Sequence, residues 1–75
     1  MNYAIILHND TAADRTKQNQ VIDQVRKTPG VLKVDTEIAD SGLLLVQLAS
    51  STDLDAIRTI DGVHDLEKMG VKHTM

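Results

Sequence analysis

Residues 31–49, VLKVDTEIADSGLLLVQLA, decide the fold. The first half alternates. Leu32, Val34, Thr36 and Ile38 fall on one face, and Lys33, Asp35 and Glu37 on the other. That period of two is the mark of a half-buried strand. Asp40-Ser41-Gly42 then supplies the chemistry of a hairpin turn. Residues 43–49 are apolar on both faces, as a strand flanked by two neighbours would be. Two strands joined by a short turn are therefore predicted over 31–39 and 43–49.

Upstream, Thr28-Pro29-Gly30 stops a helix predicted over 12–27. Proline disfavours helical geometry in the residue before it, and glycine accepts a left-handed backbone. Within that helix Ala13, Val21, Ile22 and Val25 recur at helical spacing, while Lys17, Gln18, Asp23 and Gln24 fall elsewhere. Residues 3–8, YAIILH, form a strand closed by Asn9-Asp10. Downstream, Ser51-Thr52-Asp53 opens a second helix, with Thr52 as its cap and Asp53 and Asp55 at its positive end. Leu54, Ile57 and Ile60 line one side of it. Asp61-Gly62 ends it, and residues 63–67 make a fourth strand.

The order strand, helix, strand, strand, helix, strand gives an α+β fold of the ferredoxin-like βαββαβ kind. Four antiparallel strands carry two helices on one face and leave the other face open. With Leu44, Val46 and Leu48 turned to the helices, Leu43, Leu45 and Gln47 look outward. Tyr3, Ile5 and Leu7, or their alternates, join them from the first strand. The open face is thus partly apolar, a patch for a partner to cover rather than scattered exposed side chains.

The chain has 75 residues, enough for one small domain. Cysteine and phenylalanine are absent, and Tyr3 is the single aromatic residue. Neither a disulfide nor a thiolate metal site supports the core, so its stability is expected to be small. Eight Lys and Arg stand against eleven Asp and Glu, a net charge of −3. That balance argues against a nucleic-acid binder held by phosphate contacts, and one tyrosine is too few for an RNA-stacking sheet. No apolar run approaches the length of a membrane span. The N-terminus has no signal-peptide pattern, so the chain is expected in the cytoplasm, or as a piece of a secreted precursor. His8, His64 and His73 are far apart in sequence, with no metal-ligand spacing. The glycines form no phosphate loop, and Ser41, Ser50 and Ser51 lie in turns without a nucleophile motif. No catalytic, cofactor or metal residue is therefore expected, and the chain reads as a non-enzyme.

Two stretches resemble a known family. Tyr3-Ala4-Ile5-Ile6-Leu7-His8 is similar to the first strand of subtilisin propeptides. Ile60-Asp61-Gly62-Val63-His64-Asp65-Leu66-Glu67, followed by residues 68–75, resembles their last strand and short extended tail. Ser41 to Leu48 resembles their third strand. The family includes standalone inhibitors of the same fold.

The resemblance implies an inhibitor or folding template of a subtilisin-like serine protease, monomeric when free. Residues 1–69 would form the domain and 70–75 an extended tail. The open sheet face would pack on two protease helices, and the tail would lie in the substrate cleft like a cleaved product. Glu67 matches the strand-end acid that caps a protease helix; Met69 stands where the family has a second acid. Val71, Lys72, His73, Thr74 and Met75 would occupy the cleft, with Met75 in the pocket before the scissile bond. Lys72 stands where the family more often has an apolar residue. The alternative from a different class is a regulatory or homo-oligomeric assembly module of the same fold.

Overall fold

The computed structural model describes residues 1–69. Strand β1 (Asn2–Leu7) is followed by a four-residue helix α1 (Asn9–Ala12) and the long helix α2 (Arg15–Lys27). Strands β2 (Val31–Asp35) and β3 (Leu43–Leu48), helix α3 (Leu54–Arg58) and strand β4 (Val63–Lys68) complete the chain. The sheet order is β2-β3-β1-β4, and every pairing is antiparallel. This is the ferredoxin-like order, with the two strands of the half-repeats, β1 and β3, at the centre.

Side-chain alternation sets the core. Tyr3, Ile5 and Leu7 of β1 and Leu44, Val46 and Leu48 of β3 are buried on one face. Val63 and Leu66 of β4 join them from the edge. Val21, Ile22 and Val25 of α2 and Ile57 of α3 close the cluster. Ile5, Val25, Leu44 and Ile57 are fully excluded from solvent. Each such aliphatic side chain contributes about 1.5–3 kcal/mol of burial free energy.

Several local expectations are corrected. The first helix does not run unbroken over 12–27. The chain makes the short turn α1, then restarts at Arg15, because the Asp14 carboxylate accepts hydrogen bonds from the Thr16 and Lys17 amides and caps α2. Ala13 is exposed, and Gln18 takes the inward place expected for it, completing the stripe of residues 18, 21, 22 and 25. Gln18 is tolerated inside because its Nε2 donates to the Ala12 carbonyl (2.6 Å) and to Asp40 Oδ1 (3.1 Å).

Strand β2 ends at Asp35 rather than 39, and its inward residues are Val31 and Val34, not Leu32 and Ile38. Val34 faces inward as expected, and a bulge explains why Val31 takes the place of Leu32. Val31 pairs with Leu48 and Lys33 with Gln47, so Leu32 is an extra residue left outside the ladder, 65% exposed. A single 3₁₀ turn, Ala39–Ser41, then replaces the expected tight hairpin, and Gly42 closes it at φ 94°. Thr52 does not cap α3. Its hydroxyl donates to the Ala49 carbonyl (2.7 Å) and also lies 3.2 Å from the Gly30 carbonyl. Asp53 is the cap, accepting from the Asp55 and Ala56 amides.

Candidate functional site

The face of the sheet away from α2 and α3 is built by the alternate residues of each strand. On β1 these are Ala4 and Ile6, not Tyr3, Ile5 and Leu7; on β3 they are Leu43 and Leu45, with Gln47 exposed beside them. The register sets Ile6 against Leu43 and Ala4 against Leu45. Four aliphatic side chains thus form a continuous strip along the two central strands, each half-buried rather than covered. Tyr3 is buried, so its ring is not offered on this face.

Charged side chains frame the strip on both edges. Lys33 and Asp35 of β2 stand against Gln47 and Leu45. Asp65 and Glu67 of β4 stand against Ile6 and Ala4. The ion pairs found among the described residues, Arg15–Asp40, Lys17–Asp10, Lys27–Asp23 and Arg58–Asp55, involve helices and turns. None of them engages Lys33, Asp35, Asp65 or Glu67. An open depression of about 520 Å³ lies toward β2, lined by Asn2, Lys33, Asp35, Leu45, Gln47 and Met69.

Glu67 is therefore an exposed carboxylate on the open face, next to the apolar strip. Met69 extends the edge ladder by one bond, its amide donating to the Asn2 carbonyl at 2.8 Å, and its side chain is 48% exposed. The tail residues Val71, Lys72, His73, Thr74 and Met75 lie outside the described residues. Lys33 and Asp35 stand on the open face as the alternation of the sequence places them, opposite the inward Val34; their role as a charged border of the strip was not anticipated.

A second cluster also escaped the sequence reading. His8 and His64 are 56 positions apart, yet their rings meet with centroids 5.0 Å apart and a 60° tilt. The bulge on β4 brings this about. Leu7 pairs with Val63 and Ile6 with Asp65, leaving His64 as the extra residue beside the end of β1. Nearby, the Lys17 ammonium donates a 3.3 Å hydrogen bond to Asp10 and holds that carboxyl below the ordinary aspartate value. Comparison of the chain with family models, curated proteins and solved structures gives no match.

Proposed function

We propose that the chain is an inhibitor, or a propeptide-type folding template, of a subtilisin-like serine protease. The observation that carries this reading is the open face itself. An aliphatic strip of Ala4, Ile6, Leu43 and Leu45 lies beside an exposed Glu67 that has no ion-pair partner among the described residues. Such a strip suits packing on the ridges of surface helices, where aliphatic burial supplies most of the attraction. A carboxylate at its border suits the free amides and positive dipole end of a partner helix. Met69 is the last described residue of the edge ladder, and an extended segment after it would be read as an added strand in a substrate cleft. The chain contributes binding surfaces and no catalytic residue of its own.

The second reading is a homo-oligomeric assembly module. Leu32 and Ile38, 65% and 40% exposed at the β2 side, favour it. One pair of measurements separates the two. Thermal melts with a protease whose catalytic serine is replaced by alanine report binding to the folded chain. Binding at a thousandfold excess over Kd adds about 4 kcal/mol to stability. A raised midpoint together with a monomeric sedimentation coefficient supports inhibition. An unchanged midpoint together with a dimer supports assembly.

A further inference from the structure

We propose that His8 and His64 form a two-imidazole chelate for a borderline divalent transition metal, of the Zn²⁺ or Ni²⁺ class, that ties β4 to β1 at the bulge. The spacing fits one shared ion. With metal–nitrogen bonds of about 2.0–2.1 Å, each ring centre lies about 3.2 Å from the metal, and ligand angles of about 90–110° separate the two centres by about 4.5–5.2 Å. The observed separation is 5.0 Å. Both histidines are exposed, and the histidine χ2 torsion is broad. Turning either ring about that bond leaves its centre nearly in place while bringing a nitrogen round toward the shared point.

Backbone contacts fix the two residues before any metal arrives. The His8 amide donates to the Gly62 carbonyl at 3.0 Å, and the Leu7 to Val63 pairing holds the preceding residues together. Little backbone ordering entropy is then left to lose on binding, and the remaining cost is that of fixing two exposed side chains. The charge nearby favours a cation. Asp61 shares a shallow depression with His8, and Asp65 follows His64 in the chain; Asp10 is occupied by Lys17. No group of three or more His, Cys, Asp or Glu among the described residues is placed to hold a metal. The ion would therefore keep water on its remaining positions, and hard cations such as Mg²⁺ would not compete, since imidazole suits softer ions. Metal binding needs neutral imidazoles, so affinity falls as pH is lowered. The chelate does not rest on the inhibitor reading.

Isothermal titration of the full chain with ZnCl₂ and NiCl₂ tests it, with MgCl₂ as control, alongside H8Q, H64Q and H73Q. Circular dichroism checks that each variant is folded. The expected result is one ion per chain, no Mg²⁺ binding, at least a tenfold loss of affinity in both H8Q and H64Q, and wild-type affinity in H73Q. A zinc-induced rise in melting midpoint should be present in the wild type and absent in H8Q and H64Q. Equal affinity in the wild type, H8Q and H64Q, or no binding up to millimolar metal, would overturn the proposal.

Discussion

Glu67 stands opposite Ala4 across the β1–β4 ladder, which turns its carboxylate to the open face at the edge of the aliphatic strip. Its neighbour Leu66 points the other way, into the core at 4% exposure. One position along β4 thus divides a structural side chain from one available to a partner.

Glu67→Ala is expected to leave folding intact and to weaken protease inhibition by about 1 kcal/mol, the usual cost of a lost cap. The loss should shrink at high salt, because an exposed charge is screened. Met69→Asp, which adds a second acid two residues on, should tighten inhibition. Inhibition constants of the three proteins at low and high salt check both statements.

The two faces of β3 should respond differently. Leu44 is fully buried, so Leu44→Ala should cost about 2–5 kcal/mol of stability. That is comparable to the whole stability of a domain this small. Leu45 lies on the open face, and Leu45→Asp should leave a cooperative melt while weakening inhibition at least tenfold. Denaturant melts and inhibition titrations of the two variants separate structural from binding roles.

Gly30 holds a left-handed backbone at φ 93°, and a Cβ there would run into the Thr52 side chain. Gly30→Ala should therefore destabilise by more than about 1 kcal/mol, opposite in sign to a Gly→Ala change at a permissive site. Thr52→Ala in the same chain should relieve only the contact with the hydroxyl oxygen, because the Cβ and Cα of residue 52 stay 3.0 and 3.2 Å from the added carbon, and it forfeits the hydroxyl's bond to the Ala49 carbonyl. Chemical denaturation of the single and double variants measures both effects.

Asp53, not Thr52, caps α3, so Asp53→Ala should cost about 1 kcal/mol and Asp53→Asn much less, since asparagine keeps an acceptor. Thr52→Ser should be nearly neutral because it keeps the hydroxyl that bonds the Ala49 carbonyl. Melting midpoints of the three variants decide between the two caps.

Element order and the core face of β3 were readable from sequence because Leu44, Val46 and Leu48 are apolar without interruption, Gln47 marks the other face, and turn chemistry brackets every run. What escaped came from bulges. One extra residue, Leu32, put Val31 in the inward place expected for Leu32 at the start of β2, and another, His64, brought together two histidines that linear spacing kept apart. Neither insertion leaves a mark such as a strand-interior glycine. Gln18 was legible in principle, since 18, 21, 22 and 25 are one helical stripe; its polarity argued against burial until Ala12 and Asp40 supplied partners. On the open face, the outward direction of Leu43, Leu45 and Gln47 followed from alternation, while the choice between the two sets on β1 needed the structure because both are apolar.

The most direct measurement titrates a panel of subtilisin-like proteases with the full chain and with a chain ending at Val71, following hydrolysis of a chromogenic peptide. The domain of residues 1–69 holds the described core, so the shortened chain should keep its circular dichroism spectrum and its melt. The expected result is competitive inhibition by the full chain and loss of most of it on removing residues 72–75. Met75→Asp should impair inhibition, and Met75→Tyr should preserve it. No inhibition of any protease by the full chain, or equal inhibition by the full and shortened chains, would contradict a tail bound in the cleft.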